Sequence, residues 1–127
     1  MVGFVIVSHS AKLAEGVVDL ARMMAKEVPI AAAGGLEDGG FGTSFEKIQR
    51  AVEQVYSDDG VILLMDMGSA VMTAEMVLES MEDKKLHMAD CPIVEGAVSG
   101  TLSAEAGSTL EEILEELAET GTMKKLS

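Results

Sequence analysis

Aromatic residues are scarce in this chain of 127 residues: three Phe, one Tyr and no Trp, 3% in all. Proteins that stack nucleic-acid bases need such rings as platforms, so the scarcity argues against a base-stacking binder. Basic residues are also few, nine Lys and Arg against 22 Asp and Glu, for a formal charge of −13. Polyanions are repelled by such a chain, which argues against DNA, RNA and anionic membranes as partners and for a basic protein partner. A single Cys, Cys91, leaves no intrachain disulfide and no cysteine metal cluster. No apolar run approaches the roughly 20 residues needed to span a bilayer. The run Val2–Val7 lacks the basic flank and cleavage site of a signal peptide, so a cytoplasmic location is expected.

What remains is aliphatic. Hydrophobic residues make up 48% of the chain, with ten Met among them, enough for one domain with a real core. Val2–Val7 reads as a strand buried on both faces. Leu13, Val17, Leu20 and Met24 then recur at helical spacing, with Ser8 or Ser10 as the helix cap. Pro29–Ala33 predicts a second strand, followed by the loop "GGLEDGGFG", Gly34–Gly42, in which five of nine residues are Gly. Thr43 and Glu46 fit a capping box ahead of a helix bearing Phe45, Ile48, Val52 and Val55. Asp58–Asp59–Gly60 is a turn, and "VILLM", Val61–Met65, a third strand. A helix from about Ser69 to Glu82 should bury Val71, Ala74, Val77 or Leu78, and Met81. A weaker strand at Leu86–Ala89, a helix at Ile93–Glu105, a break at Gly107, a capping box of Ser108 and Glu111, and a helix to about Glu119 complete the chain.

Strands alternating with helices imply an open, mainly parallel α/β sheet with helices on both faces. In such sheets ligands bind beyond the carboxyl ends of the strands, where strand order reverses. In a flavodoxin-like order, 2-1-3-4, that crevice lies between strands 1 and 3. His9, in "VIVSHSAKLAEG", leaves strand 1, and Asp66, in "DMGSA", leaves strand 3; the glycine loop with Gly42 and Thr43 follows strand 2. The arrangement suits phosphoryl transfer through a histidine. A neutral imidazole has one nucleophilic nitrogen, and a carboxylate on the other N–H fixes the tautomer. Asp66 is the candidate for that role. Hydroxyls of Thr43 and Ser69, with backbone N–H groups at a helix N-terminus, could hold phosphate oxygens. Each residue also has a plainer reading: His9 as a loop residue, Asp66 and Thr43 as helix caps, His87 as packed or exposed, Cys91 as a small core hydrophobe. No P-loop and no G-x-G-x-x-G after strand 1 occurs, so nucleotide binding by this chain has little support.

Four stretches, "VSHS", "GGLEDGGFGTS", "DMGSA" and "PIVEGAVSGTLSAEAGSTLEEI", resemble the phosphotransfer subunits of phosphoenolpyruvate-dependent dihydroxyacetone kinases, relatives of mannose-type EIIA domains. The resemblance runs from about Val2 to Leu117, with Met67 where the family has Leu. It implies a single EIIA-like domain over 1–127 with no fused HPr or enzyme I domain. It further implies that His9 accepts a phosphoryl group from phospho-HPr and passes it to ADP in the kinase's L subunit, for use on dihydroxyacetone in the K subunit. On that reading nucleotide and Mg stay on the partner, this chain binds no cofactor or metal, and it forms a homodimer. Two readings compete: an EIIA of a mannose- or sorbose-type transporter that delivers to EIIB, and a ligand-binding module without chemistry.

Overall fold

A computed structural model describes residues 1–126. Four strands, β1 (Gly3–Ser8), β2 (Ile30–Gly34), β3 (Val61–Met65) and β4 (Leu86–Ala89), form one parallel sheet in the order β2-β1-β3-β4. Val5 pairs with Ala31 on one side and Leu63 on the other, so β1 is central, and it is apolar from Gly3 to Val7 for that reason. The helices are α1 (Ala11–Met24), α2 (Phe45–Val55), α3 (Ser69–Ser80), α4 (Ile93–Glu105) and α5 (Leu110–Thr120).

The two-residue period of the strands sorts their side chains into two cores. Phe4, Ile6, Ile62 and Leu64 pack with Val17 of α1, Ala97 of α4, and Ile113 and Leu117 of α5. Val5, Val7, Val61 and Leu63 pack with Ile48 and Val52 of α2 and with Ala74 and Val77 of α3. The chain moves outward from β1 to β2 through α1, then crosses back to β3 through α2 on the opposite face. Strand order therefore reverses between β1 and β3, as the sequence reading requires.

Four local expectations are corrected. Ser44, not Thr43, caps α2: its Oγ accepts the Lys47 N–H at 3.2 Å. The second capping box lies one residue later than expected, with Thr109 and Glu112 exchanging both bonds at 3.2 and 2.8 Å. In α1 the buried row is Ala14, Val17, Val18 and Ala21, while Leu13, Leu20 and Met24 are left exposed. In α3 the buried row is Ala70, Ala74 and Val77, and Val71 turns outward. Close approach explains the row in α1. A Cβ on Gly34 would lie 2.4 Å from the Ser10 carbonyl oxygen and 2.7 Å from the Ala14 Cβ. Where helix and strand come that near, only small side chains fit between them, and the larger ones are displaced to the flanks.

Candidate functional site

The backbone ladder continues one step past the strands and delivers two residues to the same spot. The Asp66 N–H donates to the Val7 carbonyl at 3.1 Å, just beyond the last β1–β3 pair, Val7 and Met65. The Gly35 N–H donates to the Ser8 carbonyl at 3.0 Å, and the Gly42 N–H to the His9 carbonyl at 2.9 Å. Gly42 thus anchors the backbone of His9, and its N–H is already engaged. Its φ of +144° is a conformation that side-chain-bearing residues rarely adopt, and a Cβ there would meet Leu36 at 2.9 Å.

Asp66 collects four donors. Oδ1 accepts the Met67 N–H at 2.7 Å and lies 3.0 Å from His9 Nδ1. Oδ2 accepts the His9 backbone N–H at 3.0 Å and the Ser8 hydroxyl at 2.9 Å. Partial burial pushes the Asp66 carboxyl upward, but the donors from His9, Ser8 and Met67 together outweigh it and hold it below the ordinary carboxylate value. An ionised carboxylate only accepts, so His9 Nδ1 must carry the proton. In the neutral ring the lone pair is then on Nε2.

Nε2 is 2.8 Å from the Ser69 Oγ, so the Ser69 hydroxyl donates to it in the neutral ring. Ser69 opens α3, whose N-cap is Gly68 at φ +53° with no side-chain cap. Among the described residues the Gly68 and Ser69 N–H groups have no partner, so the first turn of α3 presents donors beside Nε2. Thr43 Oγ1 lies 3.4 Å from Ser69 Oγ and 2.9 Å from Thr73 Oγ1, which makes a row of three hydroxyls leading away from the ring. The His9 side chain is about one-third exposed (31%) and that of Asp66 largely covered (13%), so the ring reaches solvent more than its partner does.

The structure thus brings together His9, Asp66, Ser69, Thr43 and Gly42. It leaves out His87, which is exposed on the edge strand β4, and Cys91, which is half-buried against Gly96. Thr73 escaped the sequence reading, and Ser8, offered there as a helix cap, has a different role. Ser8 has no exposed surface; its Oγ accepts the Ser10 N–H at 3.0 Å while its hydroxyl holds Asp66. Ser10 alone caps α1, accepting from the Leu13 N–H at 3.2 Å. The available signal was the buried-strand register: a Ser closing a run of β-branched residues is covered and must find a partner. Thr73 sits one helical turn after Ser69, a spacing that was open to view.

The profile of the EIIA-man family, described as a PTS system fructose IIA component, matches residues 3–114. A curated relative from Lactococcus lactis subsp. lactis, the PTS-dependent dihydroxyacetone kinase phosphotransferase subunit DhaM, is 43% identical over 115 residues, covering 91% of this chain and 92% of its own. The phosphoryl donor subunit DhaM of the PEP-dependent dihydroxyacetone kinase of Escherichia coli is 40% identical over 121 residues, or 90% of this chain but only 26% of that longer one. A solved structure of a protein of unknown function, EF1359, superposes with a TM-score of 0.87 at 27% identity, over 99% of this chain and 98% of that one. No helix among the described residues is long and apolar enough to cross a membrane. With the sheet order, the His9–Asp66 pair at the switch point and these matches together, the chain belongs to the EIIA-man family of phosphotransferase-system IIA components, on the branch of the DhaM subunits.

Proposed function

We propose that this protein is a phosphohistidine carrier that takes a phosphoryl group from phospho-HPr onto Nε2 of His9 and hands it to ADP held by the L subunit of a dihydroxyacetone kinase. The observation that carries the reading is the His9–Asp66 bond at 3.0 Å, which commits Nδ1 to the carboxylate and leaves Nε2 as the nucleophile. In loading, the Nε2 lone pair attacks phosphorus. The Nε2–P bond forms as the donor imidazole leaves with its electron pair. The positive charge that develops on the His9 ring is met by Asp66 through Nδ1–H. The Ser69 hydroxyl turns from Nε2 to a phosphoryl oxygen, and the Gly68 and Ser69 N–H groups and the Thr43 hydroxyl are placed to bind the others. In unloading, a β-phosphate oxygen of ADP attacks phosphorus and the bonding pair returns to Nε2. Nucleotide and magnesium remain with the kinase subunits on this reading, and the ATP formed acts on dihydroxyacetone in the K subunit.

Incubation with phosphoenolpyruvate, enzyme I and HPr tests the carrier. An acid-labile mass increase of one phosphoryl group, absent in His9→Ala, is expected. An unchanged mass would leave a binding module as the better account. Transfer onward to ADP in an L subunit, rather than to a sugar EIIB, separates the dihydroxyacetone branch from the transporter branch. The same reading includes a homodimer, for which the exposed Leu13, Leu20, Val94 and Leu102 offer apolar surface; sedimentation velocity measures it.

A further inference from the structure

Threonines inside helices commonly return their hydroxyl to the carbonyl four residues back. Thr101 of α4 does so, donating to the Ala97 carbonyl at 2.7 Å, and Thr120 at the end of α5 does so to the Glu116 carbonyl at 3.0 Å. Thr73 of α3 does not. Its half-buried hydroxyl reaches across to Thr43 Oγ1, 30 residues earlier in the chain, at 2.9 Å. Among the described residues it has no other hydrogen-bond partner. That bond ties α3 to the segment entering α2, because Thr43 stands between the Gly42 that anchors His9 and the Ser44 that caps α2.

We infer that Thr73 is a positioning residue for phosphoryl transfer: it donates to Thr43 and so holds the Thr43 hydroxyl with its proton directed toward the phosphoryl site at His9 Nε2. The inference rests on the carrier function proposed for His9 and deepens it. The direction of the row follows from counting protons, one to each hydroxyl. Nδ1 carries the ring proton, so Nε2 has only a lone pair and Ser69 must donate to it. Ser69 Oγ has then spent its proton and can only accept from Thr43, 3.4 Å away. Thr43 in turn can only accept from Thr73. The reverse order, with Thr43 donating to Thr73, leaves the Thr73 proton without an acceptor and makes one bond fewer. All three protons therefore point toward His9. A separation of 3.4 Å is long for O–H···O, so the Thr43 proton is the loosely held one. The 2.9 Å bond from Thr73 fixes the Thr43 oxygen while that proton swings to an incoming phosphoryl oxygen. Accepting from Thr73 also makes the Thr43 hydroxyl a stronger donor, since hydrogen bonds in a chain polarise one another. A donor aimed beforehand needs no reorganisation as phosphorus passes between donor and acceptor.

Thr73→Val replaces the hydroxyl by a methyl group of similar size, and an unchanged melting temperature verifies the fold. Loading of His9 is followed in single turnovers with phospho-HPr, made from phosphoenolpyruvate and enzyme I, over a range of donor concentrations. The maximal rate should fall about fivefold, the worth of one neutral hydrogen bond, while the half-saturating concentration stays unchanged. Thr73→Ser should restore the rate. Thr43→Val should slow loading at least as much, and adding Thr73→Val to it should cost nothing more, because Thr73 acts through Thr43. In ¹⁵N NMR the ring proton should remain on Nδ1 in every variant. A wild-type maximal rate in Thr73→Val, a cost that adds in full to that of Thr43→Val, a loss that Thr73→Ser leaves uncorrected, or a ring proton moved to Nε2 overturns the assignment. If the valine variant melts lower, Thr73→Ala in the same comparison with Thr43→Val decides. A wild-type chain that phospho-HPr never loads overturns the carrier function instead, so the two failures are distinct.

Discussion

Asp66→Asn is the sharpest probe of the site, because it keeps the shape and removes the charge. The native carboxylate accepts from the Met67 N–H and His9 Nδ1 on Oδ1, and from the Ser8 hydroxyl and His9 N–H on Oδ2, all within 2.7–3.0 Å. An amide has one accepting oxygen and one NH2. If NH2 takes the Oδ2 place it faces the His9 backbone N–H, and two donors collide; the Ser8 hydroxyl can turn round but the backbone cannot. If NH2 takes the Oδ1 place it faces the Met67 N–H, and the His9 ring can bond to it only by moving its proton to Nε2. That second tautomer no longer has a lone pair where the phosphoryl group must bind. In the first case the part-buried His9 N–H is left unsatisfied, at about 1–3 kcal/mol of stability; in the second the exposed Met67 N–H can turn to water at little cost. The ring also loses a charge-assisted bond that strengthens as positive charge develops, worth about 3–4 kcal/mol of barrier if both the tautomer and the charge are lost, or roughly a 10²–10³-fold slower loading. Rapid-quench kinetics of His9 loading from phospho-HPr measures the rate, and ¹⁵N NMR of the imidazole reports which nitrogen carries the proton. A variant that loads at the wild-type rate with the proton still on Nδ1 would refute the orienting role of Asp66.

Ser8→Ala removes one of the four donors to Asp66 without touching the ring, so loading should slow about tenfold with a larger population of the Nε2–H tautomer, and Ser8→Thr should restore most of it; an unchanged NMR tautomer ratio in Ser8→Ala would show that its hydroxyl only fills space. Asp66 also predicts an acid limb of stability. Its folded carboxyl lies below the unfolded value of about 3.9, so its contribution is fully present above that pH and is lost as pH falls through the folded value; urea unfolding between about pH 2 and 5 should fall less steeply in Asp66→Asn, and equal slopes would count against it. The Cys91 thiol is pushed up to about 11 by burial, with Asp90 and Glu95 adding to the effect, so it should react with a disulfide reagent far more slowly at neutral pH than after unfolding. Gly34→Ala places a Cβ 2.4 Å from the Ser10 carbonyl oxygen and should lower stability by about 1–3 kcal/mol in thermal or chemical unfolding, since backbone rather than a flexible side chain must move.

The sequence by itself determined the element order, the parallel sheet and the pair of residues that leave its two central strands. Those follow from local periodicity: apolar runs too short for helices, helical spacing between them, and Gly at the turns. Four stretches, "VSHS", "GGLEDGGFGTS", "DMGSA" and "PIVEGAVSGTLSAEAGSTLEEI", carried the family because each is contiguous in the chain. Three things were decided only by the tertiary structure. The first is which helix face is inner. The periodicity of α1 points to Leu13, Leu20 and Met24, yet the approach of β2 through Gly34 admits only Ala14 and its small neighbours. The second is which hydroxyl does what. Ser8, Ser10, Thr43 and Ser44 look alike as helix caps, and a shift of one or two residues turns Ser8 into the support of Asp66 and frees Thr43 for the row with Ser69 and Thr73. The third is the direction of the imidazole. Nothing local to "VIVSHSAKLAEG" says which nitrogen faces out; that depends on a carboxylate 57 residues away, brought within 3.0 Å by the pairing of β1 with β3.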